Sequence, residues 1–144
     1  TYTVLDESMS PTVQPKYRLW VPCVQAPVRR GDIVVFRSST NNRLVGVTRV
    51  VGFPGETIEI RGGRVYIDGS LLRPFGPLPL QPVNHTDARF LFRVRKGEFF
   101  VIGDNTYLCV RNGWYGIICD IQIVSNRIWL YYPPAQLEMF NSNK

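Results

Sequence analysis

Lysine and histidine are nearly missing from this chain of 144 residues. The lysines are Lys16, Lys96 and Lys144, and His85 is the sole histidine. Proton transfer near neutral pH draws mostly on imidazoles and on amines made neutral by burial, so few candidate bases exist. Cysteine is also sparse. Cys23, Cys109 and Cys119 make an odd count with no Cys-x-x-Cys spacing, which excludes an ordinary zinc site. Buried thiols are the simpler expectation; one disulfide with a spare thiol is the alternative in an oxidising space. No run approaches the roughly 18 apolar residues of a membrane helix, and no signal peptide is visible. The chain opens directly on Tyr2-Thr3-Val4-Leu5, as if an upstream segment had been cut away. Dense basic blocks are absent too. The net charge is +6 and the pI about 9.5, but the charge is spread as pairs such as Arg29-Arg30 and Arg95-Lys96. A mildly basic solvated surface explains this better than a nucleic-acid or lipid footprint.

What is present is strand and turn material. The hydrophobic share is 44%, with twelve glycines and eleven prolines, which suits a packed core built from strands rather than long helices. Strands are expected at Arg18–Val21, Asp32–Arg37, Leu44–Val51, Phe99–Ile102, Ile117–Ile118 and Ile128–Tyr132. Thr57–Arg61 and Arg64–Asp68 alternate polar and apolar about Gly62-Gly63, the mark of a β-hairpin. No stretch shows a sustained helical period. Arg73 to Pro82 is proline-rich and reads as an extended loop. It separates an N-terminal strand cluster, about 1–72, from a C-terminal one, 83–134, within a single domain spanning 1–144. Asn84-His85-Thr86 has the form of a glycosylation sequon, with nothing else to support that setting.

Four segments carry chemistry by their order. Ser8 lies in Ser8-Met9-Ser10-Pro11-Thr12. Arg30-Gly31-Asp32-Ile33-Val34-Val35-Phe36 follows. Then come Thr48-Arg49-Val50-Val51-Gly52-Phe53-Pro54-Gly55-Glu56 and Gly103-Asp104-Asn105, the last with Gly116 eleven residues on. A lone serine beside a proline turn is an ordinary loop serine, but the ordered set resembles the type I signal peptidases over nearly the whole chain. That resemblance implies an all-β domain of coiled antiparallel sheets. It implies a serine nucleophile paired with a lysine base, no cofactor, and signal peptides of exported proteins as partners. It also implies a place at the outer face of a membrane, the start at Thr1 being compatible with a soluble fragment whose N-terminal anchor is missing.

The departures from that pattern fall on the chemistry. The position of the base is Thr48, whose hydroxyl cannot accept a proton near neutral pH; a hydrogen bond to Ser8 is the expected role. The position that would orient the lysine is Cys109, and an aspartate position is Arg111. Asp6 stands where relatives carry a small or hydroxyl residue, and a carboxylate there would repel a developing oxyanion. Asp6, Met9, Cys109 and Arg111 are therefore the expected surroundings of Ser8 and Thr48. Lys16 and Lys96 match no family position, His85 would reach Ser8 only with its loop folded over the site, and Asp6 or Glu7 would be a poor base for a serine. Phe75, Leu78, Leu80 and Trp20 form either a membrane-facing rim or the core under the loop.

Three functions follow. A signal-peptidase-like domain with a depleted site would bind signal peptides or extended chains with weak or no cleavage, as in an accessory or chaperone role in secretion or pilus assembly. An active endopeptidase would need a nonstandard base. A nucleic-acid-binding β-barrel ranks behind both, for want of a basic-aromatic strand motif.

Overall fold

A computed structural model describes residues 1–41, 43–73, 89–132 and 136–139. The proline-rich segment beyond Arg73, His85, the sequon, Phe75, Leu78 and Leu80 lie outside them. Every strand pairing among the described residues is antiparallel, and the fold is all-β, as expected.

A five-stranded sheet carries the site. It contains β3 (Ile33–Arg37), β4 (Leu44–Gly52), β9 (Glu98–Ile102), β10 (Tyr115–Cys119) and β11 (Ile123–Ser125), in the order β10-β9-β4-β3-β11. A second sheet takes β1 (Tyr2–Thr3), β2 (Arg18–Trp20), β12 (Trp129–Tyr132) and β13 (Gln136–Met139) in the order β1-β2-β12-β13. The third joins β5 (Thr57–Arg61), β6 (Arg64–Ile67), β7 (Ser70–Leu71) and β8 (Phe90–Arg93) in the order β7-β6-β5-β8. Each sheet thus draws strands from both sides of the proline-rich segment.

The expected hairpin is β5–β6, closed at Arg61↔Arg64. Gly62 and Gly63 have φ of 55° and 72°, the positive values a two-residue primed turn demands. Strand alternation sends Ile58, Ile60 and Val65 into a core with Phe100 and Ile102. A second cluster holds Val4, Met9, Val13, Leu19 and Ile128 beneath the N-terminal segment. Val34, Val50, Val101, Ile118 and Ile123 form a third, on the cleft-bearing sheet.

One helix departs from the expectation of none. α1 (Thr106–Asn112) is seven residues long, too short to display a period in sequence and too short to persist alone in water. Its ends hold it. The Asn105 side chain accepts from the Leu108 amide, and Gly113 closes the C-terminus at φ 70°, with the Trp114 amide donating to the Cys109 carbonyl at 2.8 Å. Among the described residues no helix is long and apolar enough to cross a membrane.

Candidate functional site

The Ser8 segment is seated on the turn that follows β9. The Ser8 carbonyl accepts from the Asn105 amide at 2.9 Å and from the Cys109 thiol at 3.6 Å. The Asn105 side-chain amide donates to the Glu7 carbonyl at 3.3 Å. Glycine is required at 103: a Cβ there would overlap the Ser8 carbonyl oxygen and come within 2.9 Å of Cys109 Sγ.

Asp104, one residue on, is the polar hub. Its carboxylate takes Arg49 Nε and Nη2, each at 2.6 Å, and accepts from the Thr12 hydroxyl. Arg49 Nη1 donates to the Gly31 carbonyl at 2.6 Å. The Asp104 side chain is 1% exposed and that of Arg49 13%. A bidentate, further hydrogen-bonded pair is the arrangement in which a buried charge is tolerated. The cluster ties together all four motif segments, Thr12 standing for the Ser8 segment. Each charge sits inside a quoted motif, yet sequence alone did not pair them.

Thr48 precedes Arg49 on β4, and successive strand residues face opposite ways. Arg49 goes to Asp104, while Thr48 lines a cavity of about 360 Å³ together with Asp6 and Ser8. Phe36, Val101, Trp114 and Ile118 are among its apolar walls. Gly46, Gly113 and Gly116 also border it. Over Gly46 to Thr48, β4 pairs only with β3, and β9 joins β4 from Arg49 onward. The remaining edge of β4 therefore has no ladder partner among the described residues.

Ser8 is half-buried and Thr48 buried. Both line the cavity, but no hydrogen bond joins their hydroxyls, so the expected contact is not made. Asp6 makes a different contact from the one foreseen. Its Oδ1 accepts from the Ser8 amide at 2.9 Å, taking the donor that an oxyanion beside Ser8 would need. Met9 is fully buried in the core with Val4 and Val13. Cys109 is buried behind the Ser8 carbonyl, and Arg111 is exposed on the last turn of α1; neither lines the cavity. Lys16, Lys96 and Glu7 are exposed and also off it.

Burial pushes the Cys109 thiol up to about 11, against help from its contact with Gly103, with the Asp6 and Asp104 carboxylates adding to the rise. Burial and Asp6 likewise raise Tyr2. All three cysteines are free, and Cys23 and Cys119 are exposed. The expectation of buried thiols thus holds for Cys109 alone, since Cys23 lies in a loop and Cys119 ends β10. Trp20 is 52% exposed and stacks at a tilt on Trp129, 6.5 Å between centroids.

A family model described as signal peptidase, peptidase S26, matches residues 1–108. The chain belongs to that signal peptidase family. Signal peptidase I of Bacillus amyloliquefaciens is 32% identical over 92% of this chain and 73% of its own length. Signal peptidase I T of Bacillus subtilis is 31% identical over the same shares. Signal peptidase IB of Staphylococcus aureus strain COL is 26% identical over 95% of this chain and 80% of its own. A crystal structure of a signal peptidase I from Enterococcus faecalis aligns with 69% of this chain and 96% of its own, at 24% identity and a TM-score of 0.47. The cleft just described lies in a chain of that family, and the matched residues include Ser8, Thr48 and Gly103.

Proposed function

We propose that this signal-peptidase domain binds an extended stretch of an exported protein, such as its signal peptide, at the outer face of a membrane, and cleaves it weakly or not at all. The binding half rests on the shape of the cleft. β4 offers an unpaired edge beside Ser8, and an extended chain adds to such an edge through main-chain hydrogen bonds. Glycine at 116 leaves room for it. A Cβ there would meet nothing within 4 Å, and one at Gly46 would meet only Phe36 and Tyr2 at 3.6 Å or more. Packing does not demand glycine at either place.

One observation carries the catalytic half. Among the described residues lining the Ser8–Thr48 cavity, none is lysine, arginine or histidine. A serine hydroxyl without a base is a weak nucleophile. The Asp6 carboxylate adds a second obstacle by occupying the Ser8 amide. Losing the nucleophile or base of an analogous serine site costs about 10⁴- to 10⁶-fold.

Fluorescence anisotropy with a labelled signal peptide tests both halves, with mass spectrometry of the same mixture. Saturable binding without cleavage, unchanged in Ser8→Ala, is expected. Efficient turnover that Ser8→Ala abolishes would instead establish an active endopeptidase with a nonstandard base.

A further inference from the structure

We infer that the cleft selects a cationic side chain, lysine or arginine, in the bound peptide, held by the Asp6 carboxylate and the aromatic walls Phe36 and Trp114. This rests on the peptide-binding reading above and names the class of chain the cleft takes.

The sign of the cleft is the first ground. Asp6 is the sole charged side chain among the described residues lining it, in a chain whose net charge is +6. No salt bridge among the described residues engages Asp6; its recorded hydrogen bond is from the neutral Ser8 amide. The other carboxylate nearby, Asp104, is already matched by Arg49. Thr48 stands where the family resemblance calls for a lysine, so the ammonium that would balance Asp6 is not supplied from that position. The upward push of Asp6 on both Tyr2 and Cys109 agrees with a locally negative field. The net positive charge acts from farther away and is screened beyond about 8 Å at physiological salt.

The walls are the second ground. Trp114, just before β10, and Gly116 and Ile118 on β10 line the cleft, while the Tyr115 ring packs into the core against Phe92 and Phe100. Trp114 is 46% exposed, and Phe36, on β3, lines the same cavity. Aliphatic stems pack on such walls, and a cationic head gains from an aromatic face. Asp6 is exposed, so the ion pair alone is weak; with the aromatic contribution, a preference of about three- to tenfold is expected.

The test uses the whole chain and an alanine-rich labelled peptide. Lysine, norleucine or glutamate is walked through its positions, and affinity is read by anisotropy at low and high salt. At one position lysine binds about three- to tenfold tighter than norleucine, and glutamate weakest. Salt narrows the gap. Asp6→Asn keeps an acceptor for the Ser8 amide and removes only the charge, so lysine and norleucine converge. Equal binding of all three peptides overturns the cation preference and leaves the peptide-binding reading standing. So does an Asp6→Asn variant that loses all three alike, which would make Asp6 structural only. If no peptide of the series binds, the peptide-binding reading falls and this inference with it.

Discussion

Thr48 and Arg49 are neighbours on one strand and face two different fates. On the Arg49 side every polar group is matched: Asp104 takes Arg49 twice and Thr12 once, and the arginine also reaches the Gly31 carbonyl. On the Thr48 side the polar groups share a cavity without joining, and the Ser8 amide is held by Asp6. The contrast separates scaffold from chemistry. The cluster that positions the Ser8 loop is intact, while no lysine, arginine or histidine is among the described residues lining the cavity at Ser8. A family fold is kept by the first kind of contact. Peptide hydrolysis needs the second.

The largest expected effect breaks the contrast from the scaffold side. Asp104→Ala would strand a buried guanidinium and the Thr12 hydroxyl. Urea unfolding should show a loss of about 3–5 kcal/mol. Thr48→Val removes a hydroxyl that is not bonded to Ser8 and should cost about 1 kcal/mol or less. Equal losses would show that the two sides are energetically alike, and the separation would be lost.

Thr48→Lys sharpens it from the chemical side. A base restored beside Ser8 should raise peptide cleavage by about 10²-fold or more, the lower end of what a positioned base supplies. The variant should lose that gain on Ser8→Ala. A silent Thr48→Lys that becomes active with Asp6→Ser would place the second obstacle at the Ser8 amide, where one oxyanion donor is worth about 10²- to 10³-fold. Silence in both would move the fault to Cys109 and Arg111.

Cys109 lies on the boundary between the two sides and gives a smaller, pH-dependent effect. Its thiol is pushed up to about 11 in the folded chain from an ordinary value of 9.0. The folded state therefore holds this proton longer than the unfolded chain. Its contribution is complete below about pH 9 and is lost as pH rises toward 11, for a total of about 3 kcal/mol. Urea midpoints across that window should fall more steeply for the native chain than for Cys109→Ala. Tyr2 titrates in the same direction in both chains and cancels in the comparison. Parallel curves would place the thiol in a less buried setting than the fold gives it.

The parts of this molecule that were legible in its sequence are those whose signal is local. The β5–β6 hairpin needs only two alternating runs and Gly62-Gly63. β3 and β4 announce themselves by β-branched runs, and they appear within a residue of the expected limits. α1 was hidden because its stability lies in Asn105 and Gly113 rather than in a periodic face. Short strands such as β1 and β7 have two residues each and exist only through their partners. At the site, motif order singled out Ser8, Thr48 and Asp6, and the three line one cavity. The Arg49–Asp104 pair was not, because 55 residues separate its members and nothing local records the contact. The cavity walls at Phe36 and Trp114 were missed for the same reason. A glycine inside each of two otherwise good strands, Gly46 and Gly116, was the signal that could have drawn attention to them.

That signal gives the smallest expected change in stability and the cleanest division between folding and binding. Glycine inside a strand carries an entropic penalty of roughly 0.5–1 kcal/mol relative to alanine. At Gly116 no neighbour lies within 4 Å of an added Cβ, and no left-handed φ is needed. Gly116→Ala should therefore leave the unfolding midpoint unchanged or raise it slightly. Gly116→Leu should leave stability within about 1 kcal/mol while its side chain fills the space beside Ser8, so that peptide binding is lost from a folded protein. If Gly116→Leu binds the labelled peptide as the native chain does, the peptide does not lie in the Ser8 cleft, and the unpaired edge of β4 is not its template.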